Sequence, residues 1–503
     1  MRLVFRGLMA AAIVSALTLV VQTRGVVPSQ AADVEIQIGQ KLFSEGKYPA
    51  ALAIFREARA HAPEPGQQQR ALEGMVRSAL RVAEFDLAMR SATELVAAQP
   101  QSADAAALYG DALWSDGLFP EAEQQYRRAV QLNPKTPRAL NGLAVVLSSE
   151  SRLQDALQAA QDSLTLDPAQ EAAHHTVGMI YERMHRYEDA ADAYAQYVER
   201  LPNKDQSLKA AWVRAEIKFL RSFEGRTPFA IEGGDARTVY AVPFQLVGNK
   251  IVVQARLNGG PEHDLVVDTG AEQTVVSEYT ARALKMKAVT YTLSAGVGDI
   301  GLRGLELARL DSLQVGSLVM RNVACVVKNP ALKDMPTGES DSFSPLALGL
   351  SMRLDYDRDI LYMARQLPEE RADVQLPLYL NRLATVRGTV DGRHPASFVV
   401  DTGGEVISIS QSMAGSLDHQ PFQRIPLKVY GTSGWDRDAF LMPGVDLAFA
   451  GIRFTNFPVV VLNLRAPSVL LGYQLGGIVG QKFLSRYRVT IDLQKSVLGL
   501  SKL

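Results

Sequence analysis

From residue 32 to residue 202 the apolar and small residues recur with helical spacing inside a longer period. Pro100, Pro134, Pro168 and Pro202 stand 34 residues apart, as do Ala88, Ala122, Ala156 and Ala190. Gln99, Asn133 and Asp167 precede three of these prolines, and such residues close helices. A fixed period of this length marks a stacked array in which each helix pair buries its face only against the next. Five copies and a closing helix at residues 208–223 predict an all-α solenoid over residues 33–225. The first copy, with Gly39, Gly46, Ala51, Phe55, Ala58 and Pro63, is displaced by three residues, and a looser turn at residues 63–66 is expected to absorb them.

Residues 226–238, with Gly and Pro, read as a linker, after which the pattern changes. Short runs such as "IVVQARLNG", "HDLVVDTG", "DSLQVGSLVM" and "RNVACVV" are rich in Val and Leu and bounded by Gly, Pro or Asn, which predicts strands of an all-β region. The pattern then repeats. "VRGTVDGRHPASFVVDTGG" parallels "VQARLNGGPEHDLVVDTGA", and "LAFAGIRFTNFPVVVLN" parallels "LQVGSLVMRNVACVVKN". The halves are placed at residues 239–367 and 374–503. The first is shorter before its closing strand, so a helix of the second half is expected to be clipped there.

Ahead of both regions, Arg2 and Arg6 precede an uncharged apolar run at residues 7–21, and small residues follow at Ala31 and Ala32. This is the layout of a secretory signal peptide over residues 1–32, predicting export to a periplasm or the cell exterior. The run is short for a membrane span, so a membrane association is expected only if the segment stays uncleaved. A formal net charge of -1 over 503 residues leaves no global basic field for nucleic acid. Cys325 is the single cysteine, which excludes an internal disulfide and argues against a cysteine metal site; in an apolar run it reads as a small buried hydrophobe.

The repeats resemble the tetratricopeptide pattern, with Gly110, Ala122, Tyr126, Ala129 and Pro134 on family positions; the resemblance implies that the array binds peptides or partner proteins. The β halves share a second motif, an apolar run ending in Asp-Thr-Gly, at Asp268 and again at Asp401. One such tripeptide is an ordinary turn, but two in matched halves need a common cause. The region resembles two retropepsin-like halves of the aspartic protease clan fused in tandem. The resemblance implies that Asp268 and Asp401 form a catalytic pair, that Thr269 and Thr402 lock the two loops, and that Gly270 and Gly403 let backbone approach the pair. Two adjacent carboxylates cannot both ionise easily, so one keeps a proton and the pair can serve as general base and general acid. No metal or cofactor is required. The implied fold is an all-α solenoid followed by an all-β bilobal domain, pairing its halves within one chain.

The family also implies a hydrophobic pair and glycine beneath each loop, matched by Ile478, Val479 and Gly480 and more loosely by Ala347, Leu348 and Gly349. Candidate flaps carry Gly296 and Gly298 in the first half and Tyr430 and Trp435 in the second. Gly296, Gly298 and Gly301 have a dinucleotide-type spacing, but strand-like flanks remove the required helix. "GTSGW" lacks the glycine that a serine nucleophile elbow needs. His174 and His175 are adjacent and point to different helix faces, unlike helical metal ligands. The expected activity is an aspartic endopeptidase acting on protein or peptide substrate, with the array holding a protein partner or the substrate. The alternative is an envelope scaffold or peptide-binding protein that keeps the fold without the catalysis.

Overall fold

The computed structural model describes residues 28–332, 339–418 and 424–503; the expected signal segment lies almost wholly outside them. Eleven helices among the described residues run from Pro28 to Arg221 as five pairs and a closing helix, Leu208–Arg221. No described helix is long and apolar enough to cross a membrane. The first helix, Pro28–Ser44, starts before the boundary set at residue 32 and buries Ala31 and Ala32.

The period has a packing cause. The Phe55 ring presses against both Gly39 and Gly74, and the Tyr126 ring against both Gly110 and Gly142, so close that a Cβ at any of the four would collide. One aromatic ring on the second helix of a repeat thus needs two glycines on successive first helices. The three-residue displacement is not taken up in a looser turn. Helix Pro65–Arg81 has 17 residues where Ala103–Ser115 has 13, so the extra residues add a helical turn. His174 and His175 do diverge: His174 contacts the Pro168 carbonyl at 3.0 Å, whereas His175 packs on Tyr194 and Tyr197, where burial pushes its imidazole down to about 3.

Each β half closes a sheet on itself. In the first, the strands Lys250–Leu257, Glu262–Val267 and Thr274–Ser277 join the long hairpin Leu302–Val315 and Leu318–Lys328. In the second, Leu383–Val390, His394–Val400 and Ser408–Ser410 join Phe440–Phe449 and Ile452–Leu462. Cys325 lies buried on the first hairpin, its thiol pushed up to about 12 by desolvation. Between the halves runs a shared sheet in the order Tyr240–Pro243, Ile360–Ala364, Ser351–Asp355, Tyr487–Asp492, Val497–Lys502, Val374–Asn381. Three strands come from each half, and Arg353 opposite Thr490 marks the join. Within the stretch read as a linker, Ala230–Ile231 pairs with Met320 and Arg321, and Phe229 is buried.

The array is docked on the β domain through an apolar seam. Phe119 stacks at 5.2 Å on Tyr379 and on Tyr473, and Leu464, Leu471 and Leu475 fill in around it. Ser397 Oγ donates to the Gly117 carbonyl at 2.6 Å and Gln474 N to that of Ser115 at 2.8 Å. At the other end Tyr187, Phe219, Phe223 and Phe229 merge with the core of the first half.

Candidate active site

Each aspartate ends a strand whose apolar residues are buried on both faces: Leu265, Val266 and Val267 before Asp268, and Phe398, Val399 and Val400 before Asp401. The strand is then forced to turn by the short Thr-Gly step. A parallel neighbour fixes each loop from below, because Asp268 N donates to the Phe343 carbonyl at 2.9 Å and Asp401 N to that of Val479 at 3.0 Å. In the second half this neighbour is Gly477–Val479, as the motif at Ile478, Val479 and Gly480 implied. In the first it is Ser342–Phe343, not Ala347, Leu348 and Gly349, which fold into the turn that follows. That turn replaces the short helix Gln481–Leu484 of the second half, so the clipped helix is observed.

Thr269 and Thr402 exchange bonds across the approximate twofold axis. Thr269 N donates to Thr402 Oγ1 at 3.1 Å and Thr402 N to Thr269 Oγ1 at 3.0 Å. Each hydroxyl donates onward into the opposite half, Thr269 to the Val400 carbonyl at 2.6 Å and Thr402 to that of Val267 at 2.7 Å. Both side chains are buried, so these bonds compete with no water. The lock sets the two loops against each other, so that Asp268 lies against Gly403, Asp401 lies against Gly270, and the Asp268 charge acts on Asp401. A Cβ on Gly270 would lie 2.5 Å from the Asp401 carboxyl carbon and one on Gly403 2.5 Å from that of Asp268, so backbone passes where no side chain has room.

The pair is not symmetric. Asp268 Oδ1 accepts one backbone N–H, from Gly270, whereas Asp401 Oδ1 accepts two, from Gly403 and Gly404. Even so, desolvation and then the neighbouring Asp268 charge push Asp401 up to about 7, and the backbone donors offset only part of that. Oδ1 is committed to the glycines, which leaves Oδ2 to carry the proton. Lys328 stands near enough to feel the Asp268 charge, and burial pulls its ammonium down.

The two candidate flap hairpins meet each other. Gly296 and Gly298 lie in the turn between Thr290–Ala295 and Leu302–Val315, and Tyr430 pairs with Trp435 across the second hairpin with rings 5.1 Å apart. Their seam runs through Ser433. Its Oγ accepts from Gly296 N at 3.0 Å, its N donates to the Val297 carbonyl at 3.0 Å and its carbonyl accepts from Ile300 N at 3.2 Å. Gly298 touches the Ser433 carbonyl so closely that a Cβ would sit 2.3 Å away, at a φ of 137°. No helix follows these glycines, which removes the dinucleotide reading.

Comparison with known proteins agrees with this architecture. A family model described as gag-polyprotein putative aspartyl protease matches residues 253–352, one described as aspartyl protease matches residues 386–483, and the tetratricopeptide repeat model matches residues 74–137 and 113–171. The chain is similar to Hsp70-Hsp90 organizing protein 1 of Glycine max, at 25% identity over 34% of this chain and 26% of that protein. It is also similar to a TPR repeat-containing thioredoxin of Arabidopsis thaliana, at 28% identity over 16% of this chain and 12% of that one. It thus spans about a quarter or less of the length of these two relatives. Among solved structures, a thermophilic TPR protein of Thermus thermophilus aligns at 22% identity and a TM-score of 0.31, covering 37% of this chain and 99% of that one. PilF of Pseudomonas aeruginosa aligns at 20% identity and a TM-score of 0.29, covering 40% and 87%. By the family models, the chain joins tetratricopeptide repeats to two aspartyl-protease-like domains.

Proposed function

We propose that the chain is an aspartic endopeptidase in which Asp268 and Asp401 activate a water against a peptide bond, while the repeat array holds a protein partner or the substrate itself. The observation that carries the reading is the reciprocal threonine lock that sets the two aspartate loops against each other. With the proton on Asp401 and the charge on Asp268, the charged group takes a proton from water as the protonated group donates to the carbonyl oxygen. The proton is then returned to the departing amine.

The array contributes a groove of about 490 Å³ lined by first helices, with Arg77, Arg81, Arg138, Asn141 and Trp114 among the lining side chains. A concave surface of mixed charge suits an extended peptide. Export rests on the charge and hydropathy pattern of residues 1–32, and N-terminal sequencing of the protein from its native host tests it.

The decisive experiment is cleavage of an unfolded protein, from roughly pH 3 to pH 8, by the chain and by its Asp268→Asn and Asp401→Asn variants. Loss of activity in each single variant supports one shared pair. If the chain cuts nothing while the array retains a partner, the non-catalytic binding reading replaces the endopeptidase.

A further inference from the structure

Each aspartate loop is held from below by a short strand, and the two supports are built differently. In the second half Gly477–Val479 pairs on one side with Phe398, Val399 and Val400 and on the other with Ser408 and Ile409. In the first half Ser342–Phe343 pairs with Val266 and Val267 on one side and with Val275 alone on the other. One register pair is missing on each side. The position that would supply both is Asp341, the counterpart of Gly477 when Phe343 is set against Val479. Gly477 has no room for a side chain, because a Cβ there would collide with the Ser408 carbonyl oxygen. Asp341 carries one, and that side chain is only 6% exposed.

The carboxylate restores what the backbone lacks. Its Oδ1 accepts from Ser277 N at 2.5 Å, and its Oδ2 accepts from the Thr280 hydroxyl at 2.5 Å and lies 3.3 Å from His263 Nε2. In the second half the matching serine, Ser410, which like Ser277 caps a short helix, instead donates its N–H to the Gly476 carbonyl at 2.8 Å. A side chain thus stands where the other half uses main chain. Burial alone would raise the Asp341 carboxyl, but His263, Thr280 and Ser277 outweigh it and hold the group below the usual carboxylate range. It is therefore charged when it binds them, and a charged acceptor with several donors is a strong fixture. The main chain of the same residue holds the other arm. The Asp341 carbonyl accepts from Val266 N at 3.0 Å, and the Phe343 carbonyl accepts from Asp268 N at 2.9 Å. Val266 and Ser277 flank the turn that carries Asp268, so Asp341 spans both arms of that turn.

We propose that Asp341 is a positioning residue for the aspartate pair: it splints the two arms of the Asp268 loop and thereby fixes how closely Asp268 stands to Asp401, a task that backbone alone performs in the second half. The proposal rests on the reading of Asp268 and Asp401 as a working pair. Thr280 and His263 orient the carboxylate and so act one step further back.

The test compares the full chain with three variants. Asp341→Ala removes every carboxylate contact, and Asp341→Asn keeps an acceptor for Ser277 N alone. Asn258→Ala, a control, removes the side-chain acceptor of Asp311 N and Ser312 N in the turn before the strand that leads to Asp268. Two quantities are measured: the titration midpoint of Asp401, by carbon NMR of carboxyl-labelled aspartate with the signal identified by its absence from Asp401→Asn, and kcat and KM on fluorescein-labelled unfolded casein. The Asp268 charge helps to hold the Asp401 proton, so a loosened Asp268 loop lets it go at lower pH. In Asp341→Ala the midpoint is expected to fall by about one pH unit or more, and kcat by about tenfold or more with KM within about twofold of the parent. Asp341→Asn falls between that variant and the parent, while Asn258→Ala lowers the urea midpoint and leaves both quantities at the parent values. An unmoved Asp401 midpoint in Asp341→Ala, or an equal movement in Asn258→Ala, overturns the splint. If Asp341→Ala does not fold, Asp341→Asn carries the test, and an unmoved midpoint there overturns the splint. A moved midpoint in a chain that cuts nothing sinks the endopeptidase alone, and cleavage with midpoint and kcat untouched by the substitution sinks the splint alone.

Discussion

At Asp401 the sign of a pH effect follows from geometry. The native state holds its proton up to about 7 against an ordinary value of 3.8, so the folded form binds that proton more tightly. Its contribution to stability is complete below the ordinary carboxylate range and is lost as pH rises through about 7. Urea midpoints measured from about pH 4 to about pH 8 should fall over this window in the chain and much less in Asp401→Asn. Cleavage should fade over the same upper limit, since the pair then holds no proton. Thr402→Val removes a buried hydroxyl that accepts from Thr269 N and donates to the Val267 carbonyl, leaving both without that partner. It should cost about 1–3 kcal/mol in thermal or urea unfolding, with Thr402→Ser restoring most of it. The repeated Asp-Thr-Gly made these positions readable in the sequence. The Asp341 splint was not read, because its partner Ser277 lies 64 positions away and nothing local ties it to that loop.

Elements were legible where one physical period governs a long stretch. The array could be read because ring-against-glycine contacts recur in successive repeats. The misplaced turn at residues 63–66 arose because a longer helix and a looser turn shift a period identically. In the β halves, Ser342–Phe343 escaped notice since a two-residue strand has no alternation to display, and its partner in the second half ends in a glycine that the first half replaces with Ser344. The first of the two hairpins was marked by its glycines and the second by Tyr430 and Trp435, but their seam was not read, as Ser433 is one small polar residue within a turn. That seam predicts kinetics. Ser433→Ala removes the acceptor of Gly296 N and should raise KM about three- to tenfold with a smaller change in kcat, as expected for a hydrogen bond that holds the closed flaps. An equal fall in kcat with unchanged KM would place Ser433 in the chemistry instead.

Across the whole molecule, the array and the β domain are held by aromatic packing rather than by a tether. Phe119 is 1% exposed between Tyr379 and Tyr473, so Phe119→Ala opens a cavity at the seam and should cost about 3–5 kcal/mol. Calorimetry should then resolve separate transitions for array and β domain where the parent shows them merged; a single unshifted transition would mean the seam bears little of the stability. The shared sheet adds a constraint of time. Its central strand Tyr487–Asp492 is bordered by Val497–Lys502, and both must be in place before Ser351–Asp355 gains its partner across the halves. A ribosome that has already released Asp268 and Asp401 has therefore made both carboxylates but has not yet made the strands Tyr487–Asp492 and Val497–Lys502 that close the shared sheet. The growing chain passes through most of its synthesis with its two halves unclamped, and the carboxylate pair is held in place last.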